Sequence, residues 1–279
     1  LKRLVVNADD FGFTPDVNEG IVDAHRNGIL TSTTLMANGD AFEDAVRLAA
    51  STPSLDIGCH LALIGGRSLL APYKPLPASV PDLLRAILLR QLPIYDELAA
   101  QVRKIQAAGI APTHLDTHKH THLAPPVLDV VARLSQQFEI PWVRRPFDLP
   151  ITAASGGAPF LKRATSGMLE TLRGRFHRVL SKRGCRTTDH FAGFQLTGRF
   201  RTRELVQLIQ ALPDGSTELM CHPGRCGAAL RNAATRLKES REEELLALIS
   251  PEARQALARA HVRLVNYREL GEVGPGEVR

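Results

Sequence analysis

The chain has 279 residues, of which 44% are hydrophobic and 23% charged, with a formal net charge of +6. That is the composition of an ordinary globular protein long enough to bury a large core, and it sets disorder and fibrous repeats aside. No apolar run approaches the roughly 18 residues that cross a bilayer, no secretory leader opens the chain, and Cys59, Cys185, Cys221 and Cys226 form no CxxC pair. An integral membrane protein and a disulfide scaffold are excluded, and a cytoplasmic protein with reduced thiols is expected.

The positive charge is local. Residues 144–203 hold thirteen Lys and Arg against three acids, and the remainder of the chain sums to −4. With one Trp and 5% aromatic residues, the chain has few rings to stack on bases, so nucleic acid is not the expected partner.

Strands and helices alternate from end to end. Leu4-Val5-Val6 reads as a buried strand running into Asn7-Ala8-Asp9-Asp10, and Pro15 to Asn27 as a helix stopped by Gly28. Strands follow at Leu30–Met36 and Leu55–Leu61, separated by a helix that opens at Asp40 and ends before Pro53. A loop rich in proline (Pro72, Pro75, Pro77, Pro81) leads to two helices that straddle Pro93 and stop at Gly109. Thr113–His118 is a strand, Pro125–Phe138 a helix and Ile140–Arg145 a strand; His190–Ala192, Ser216–His222 and Val262–Tyr267 read as later strands. Seven or eight strands alternating with helices point to a parallel sheet, and at this length to an α/β fold of the (β/α) barrel type, distorted or incomplete. Asn7-Ala8-Asp9-Asp10-Phe11-Gly12 stands where a glycine-rich phosphate loop would follow the first strand, which argues against a dinucleotide or nucleoside triphosphate site.

Functional side chains in such folds gather at the carboxyl ends of the strands. There the sequence places Asp9 and Asp10, His60, the run Asp116, His118, His120 and His122, then Arg144 and Arg145, and finally His222. Each has an ordinary structural reading. An Asp pair caps helices and turns, a lone histidine at a strand end is commonly a satisfied polar residue, and Cys59 and Cys221 read as small core residues. Together they carry more: one carboxylate and two imidazoles from separate strands suit a divalent transition metal, with a second carboxylate left free as a base.

Five segments in order, Asn7-Ala8-Asp9-Asp10-Phe11-Gly12, Thr31-Ser32-Thr33-Thr34, Gly58-Cys59-His60-Leu61, Thr113 to His122, and Glu218-Leu219-Met220-Cys221-His222-Pro223-Gly224, resemble the motifs of the YdjC-like (ChbG) carbohydrate deacetylases. The resemblance implies one distorted (β/α) barrel over residues 1–279 and metal-dependent removal of acetyl from N-acetylated sugars. Matched by motif, Asp10, His60 and His118 would hold one divalent ion, zinc or magnesium. Asp9 would be the general base and His222 the general acid. Asp116, His120 and His122 are expected at the substrate. Arg144, in an Arg-x-Pro turn with Pro146, is expected to position a carboxylate or the substrate. Lys119 departs from the family's usual histidine run.

Asp189-His190-Phe191-Ala192-Gly193, after a basic insertion at about 147–187, resembles the hopanoid biosynthesis-associated (HpnK) subgroup. That implies an N-acetylglucosaminyl lipid as substrate and peripheral contact with the inner face of the membrane. Within the insertion, Leu161, Ala164, Met168, Leu172, Phe176 and Val179 recur at helical spacing among Lys162, Arg163, Arg173, Arg175, Arg178, Lys182 and Arg183. This reads either as a basic amphipathic helix on an anionic membrane or as a core-packed helix with a solvated basic face. Two rival functions stand beside the deacetylase: a binuclear amidohydrolase or phosphoesterase built on His118-x-His120-x-His122, and a non-catalytic membrane-associated lipid-binding module. The first is demoted because the Asp pair opens the chain here rather than closing it.

Overall fold

Strand β1 (Lys2–Phe11) is the axis of the structure, which is a computed structural model describing residues 1–149 and 172–272. One edge of β1 pairs with β7 (Gly215–Cys221). The other edge is shared: β8 (Val262–Leu264) lies along Lys2–Leu4, and β2 (Ser32–Leu35) along Asn7–Phe11. Beyond β2 come β3 (Asp56–Leu61), β4 (His114–Thr117) and β5 (Trp142–Val143), and beyond β7 comes β6 (His190–Ala192). Every pair is parallel. Isolated parallel bridges Trp142–Arg186 and Asp148–Phe191 draw the two outer edges together, so the sheet curls into the distorted α/β barrel that the alternation predicts.

The helices are α1 (Pro15–Asn27), α2 (Phe42–Ala50), α3 (Val80–Leu88), α4 (Ile94–Ala107), α5 (Pro125–Gln137), α6 (Arg173–Lys182), α7 (Thr202–Gln210), α8 (Ala228–Asn232), α9 (Glu239–Ile249), α10 (Pro251–Arg259) and α11 (Tyr267–Glu272). Helix α1 starts where the sequence places it: the Thr14 hydroxyl accepts the Val17 N–H and Pro15 fills the first turn. Strand β5 is shorter than the expected Ile140–Arg145 because Pro141 and Pro146 flank it and neither has an N–H to give a ladder.

Alternation along β1 sorts its side chains. Leu4, Val6 and Ala8 join the apolar layer between sheet and helices, while Val5, Asn7 and Asp9 turn to the barrel interior. The amino end of that interior is closed by Val5, Trp142, Val265, Tyr267 and Leu270, so α11 acts as a plug. Tyr267 stacks on His114 with centroids 4.0 Å apart, and its N–H donates to Asp56 Oδ2 at 3.0 Å. The carboxyl end stays open.

Residues 150–171 and 273–279 fall outside the described residues, and with them most of the basic insertion and of the helical pattern expected from Leu161 to Val179. The described part, α6, spends its apolar face on the core: Phe176 and Leu180 are buried, with Phe176 against Phe147 and His122. Its arginines are exposed, so here the core-packed arrangement holds.

One close approach ties α1 to the turn after β7. A Cβ on Gly20 would stand 2.5 Å from the Gly224 Cα, and backbone has no rotamer with which to yield. Gly20→Ala is therefore expected to cost about 1–3 kcal/mol in a urea unfolding curve and to disturb the turn that carries His222.

Candidate metal and acid–base site

Asp9 and Asp10 are neighbours, and on a regular strand they would face opposite ways. The backbone changes hand between them. Asp10 has φ +70°, and the β1–β2 register slips so that the four residues of β1 from Ala8 to Phe11 span three of β2, Thr33 to Leu35. Both carboxylates therefore reach the interior rim, 3% and 4% exposed. A left-handed aspartate costs backbone energy, which the packing around it must hold.

Asp10 Oδ1 lies 3.3 Å from His60 Nε2 and 3.3 Å from His118 Nδ1, and the two ring nitrogens are 3.2 Å apart. Asp10 Oδ1 is buried and has no hydrogen-bond partner, the signature of a donor kept for something else. Donors bonded to one tetrahedral ion at about 2.0–2.1 Å stand about 3.3 Å from one another, so this triangle of one oxygen and two nitrogens fits a divalent metal. His60 is already oriented for it. Its Nδ1 meets Asp116 Oδ1 at 2.7 Å, and because a carboxylate only accepts, Nδ1 carries a hydrogen, which leaves Nε2 as the nitrogen that could serve a metal. Burial pushes the His60 imidazole down, but Asp116, Asp10 and Asp9 outweigh it and hold its pKa well above the ordinary value. The field that favours a proton here also favours a cation.

A second cluster of metal-ligating atoms, Asp9, His60 and Asp116, is already committed. Arg144 takes both Asp9 oxygens, Nη2 to Oδ1 at 2.6 Å and Nη1 to Oδ2 at 2.7 Å. The same guanidinium meets Asp116 Oδ2 at 2.7 Å and donates from Nε to Glu218 Oε1 at 2.7 Å, with no side-chain surface exposed. Burial would raise the Asp9 pKa, but the Arg144 pair reverses it and holds the carboxyl below its usual range. Asp9 is thus an ionised carboxylate beside the triangle. Below it, Asn7 Nδ2 donates to Asp9 Oδ1 at 3.2 Å while Asn7 Oδ1 accepts from His114 Nε2 at 2.9 Å, which pins the carboxylate from the barrel floor.

His222 completes the rim, its Nε2 3.9 Å from Asp9 Oδ2. Burial lowers its pKa to about 4, and its Nδ1 is buried without a partner. Helix α9 supplies two further groups that sequence reading missed. Arg241 donates from Nη2 to Asp10 Oδ2 at 2.5 Å, so one oxygen of Asp10 is held and the other left for the triangle. Glu244, one turn later, accepts the His222 N–H at 2.5 Å. Nothing local marks them, because Glu239–Ile249 reads as a charged surface helix. Glu218 was missed as well, although a signal existed: it lies on β7 four residues before His222, and period-two alternation carries both to the inner face.

Asp9, Asp10, His60, His118, His120 and His222 line one cavity of about 800 Å³ at the carboxyl end of the barrel, with Phe13, Met36, Asn38, Phe194 and Leu237 among its other walls. Arg144, Asp116 and His122 lie behind that wall. Arg144 holds the carboxylates of Asp9, Asp116 and Glu218 and is not on the cavity wall where a substrate would meet it. Asp116 orients His60, and His122 spends its nitrogens on Thr117 Oγ1 at 2.6 Å and the Arg144 carbonyl at 3.1 Å. His120, left-handed at φ +52° like Lys119 before it at φ +55°, turns toward Phe191 and Phe194, and its buried Nδ1 has no partner.

Residues 3–259 match the sequence profile of the YdjC-like protein family. A protein of Brevibacillus brevis named carbohydrate deacetylase is 34% identical over 96% of this chain and all of its own length. Another of that name from Geobacillus stearothermophilus is 34% identical over 96% of this chain and 98% of its own. A crystal structure from Enterococcus faecalis V583, named for cellobiose-phosphate cleavage, superposes with a TM-score of 0.75 at 25% identity, covering 96% of this chain and 98% of the other.

Two outcomes follow from the buried charges. Arg144→Met removes the partner of Asp9, Asp116 and Glu218 at once, and a loss of about 3–5 kcal/mol is expected in urea unfolding. Glu244 gives a pH test. Burial raises its pKa from 4.5 to about 7, so the folded state keeps a proton that the unfolded chain has released. The stability this contributes is complete below the unfolded value and is lost as pH rises through the folded one. The Tm of Glu244→Gln should therefore gain on that of the unaltered protein between about pH 5 and about pH 8, and parallel Tm profiles would contradict the assignment.

Proposed function

The chain belongs to the YdjC-like family, and from that premise we propose that it is a metal-dependent carbohydrate deacetylase, hydrolysing the amide of an N-acetylated sugar. The observation that carries the reading is the triangle of Asp10, His60 and His118 beside an ionised, arginine-clamped Asp9. Mixed nitrogen and oxygen donors of this kind suit zinc, with magnesium the second choice. Asp10, His60 and His118 would hold the ion, which when bound would supply polarisation of the acetyl carbonyl and a water activated near neutral pH.

The side chains then divide the proton work. Asp9 accepts the proton of the attacking water, and its two bonds to Arg144 keep it ionised and aimed. His222, on the same rim, gives a proton to the departing amine. Its pKa of about 4 leaves it neutral at rest, so the proton it passes to the amine is the one Asp9 has taken from the water, 3.9 Å away. His120 and the apolar walls face the sugar. The names of the curated relatives support a sugar substrate, and the Asp189–Gly193 resemblance supports N-acetylglucosamine carried on a hopanoid lipid, met by a cytoplasmic enzyme at the inner membrane face. The binuclear alternative loses ground, because Asp9, Asp116 and His122 already have protein partners.

Acetate release during metal titration tests the reading against a non-catalytic lipid-binding module, which would release none. Asp9→Asn should retain the metal and lose roughly 100-fold or more in turnover, whereas Asp10→Asn and His60→Ala should lose metal by calorimetry. Equal metal loss in Asp9→Asn and Asp10→Asn would mean that the two roles are reversed.

A further inference from the structure

Nine large hydrophobic side chains are exposed among the described residues, and six of them, Leu70, Tyr73, Val80, Leu84, Leu88 and Leu89, fall between residues 70 and 89. A scatter of single exposed leucines needs no explanation, but a cluster does. Its two parts are built to project. Residues 65–77 form a hairpin, with Gly65 N–H to Pro77 O at 2.9 Å and Ser68 N–H to Lys74 O at 3.1 Å, and the tip carries Leu70 and Tyr73. The buried Glu97 pins it from below, accepting the Ser68 hydroxyl at 2.6 Å and the Leu69 N–H at 3.1 Å. Helix α3 buries Leu83 in the core and turns Val80, Leu84 and Leu88, at four-residue steps, to solvent; Leu88 is 82% exposed and Tyr73 85%.

The surroundings select an occupant. Arg67, Lys74, Arg85 and Arg90 are all exposed, and Asp82 is the one acid between residues 65 and 93. Pairing this face with a second copy about a two-fold axis would set arginine against arginine. An anionic surface meets the same pattern with attraction at the rim and burial at the centre. The segment is also continuous with the reaction cavity, since Ile64, Gly65, Gly66 and Ala78 form part of its wall. We propose that the hairpin tip and α3 together are the docking surface for an anionic lipid bilayer, holding the cavity mouth at the membrane. The proposal rests on the reading above that the sugar is carried on a lipid, and it moves the membrane contact from the basic insertion to α3.

Sedimentation of the full chain with vesicles tests it. Binding is expected to vesicles of about 30% phosphatidylglycerol in phosphatidylcholine at about 0.1 M salt, and to fall at about 1 M salt. The double variant Leu84→Asp with Leu88→Asp should bind at least about ten-fold more weakly, with an unchanged melting curve and unchanged acetate release from a short soluble N-acetylated sugar. Arg85→Glu with Arg90→Glu should weaken binding without touching an apolar residue. Absence of vesicle binding by the unaltered protein overturns the docking proposal, as does undiminished binding by the Leu84/Leu88 variant. A dimer in light scattering that the same variant dissolves would assign the face to a second copy and likewise overturn it. Failure of the functional reading looks different: no acetate is released from any N-acetylated sugar, while vesicle binding remains measurable.

Discussion

A single buried guanidinium sets the terms for the rest of the interior. Arg144 lies within 2.6–2.7 Å of Asp9, Asp116 and Glu218, with no side-chain surface in water. Three carboxylates brought that close without it would repel one another and take up protons. Glu218 shows how narrow the margin is: burial lifts it to about 7 even with the arginine attached. Through Asp9 the guanidinium fixes the base, and through Asp116 it fixes which nitrogen of His60 could serve a metal. On the reading proposed above, metal affinity and proton transfer both depend on this one side chain, which does not itself line the cavity. Lysine could not substitute, because a point charge lacks the planar fork that meets both oxygens of Asp9 and two further carboxylates at once.

The second constraint is backbone strain. Asp10, Lys119 and His120 all sit in the left-handed region, and all three lie at the open end of the barrel. The twist at Asp10 brings two adjacent aspartates to the same rim; the twist at 119–120 lets His118, on the same run, face the triangle while His120 and His122 turn elsewhere. Arg241 on one side and the histidines on the other over-determine Asp10, which is how such a conformation persists.

Much of this was legible in the chain. Strand and helix alternation gave the barrel, and α1, β6 and the helices either side of Pro93 stand where turn chemistry and periodicity place them. The residues gathered at the rim were legible for the same reason: strand ends are local features, and a parallel barrel brings them together whatever the detail. What stayed hidden was the partnership between them. No spacing says that Arg144 faces inward to Asp9 across 135 residues, or that Arg241 reaches Asp10 across 231. Arg241 and Glu244 lie on a helix whose charge pattern is that of a solvated surface, and only tertiary packing buries them. The basic insertion left two readings open for a related reason, since an amphipathic pattern records that an apolar face is covered and not by what; in its described part, α6, the core covers it.

These two kinds of interaction divide the barrel along its axis. Toward the amino end the groups are locked in series, Tyr267 against His114, His114 to Asn7, Asn7 to Asp9 along β1, and Asp9 to Arg144. Toward the carboxyl end the cavity is walled by loops and short turns: the hairpin from Gly65, the left-handed turn at Lys119 and the segment from Ala233 to Leu237. A change in those loops alters what the cavity admits without reaching the series below, because irregular segments carry few contacts to the floor. A change in the floor reaches everything above it. The departure at Lys119, where the related histidine run differs, falls in the first class. Lys119 lines the cavity, and its neighbour His118 keeps its place at the triangle. The triangle with its base and the loops that wall the cavity share the carboxyl rim, but Asp9 and His60 are held from below by Arg144, Asp116 and Asn7 while the outer wall is loop, so on the reading proposed above the wall can differ while the chemistry stays constant.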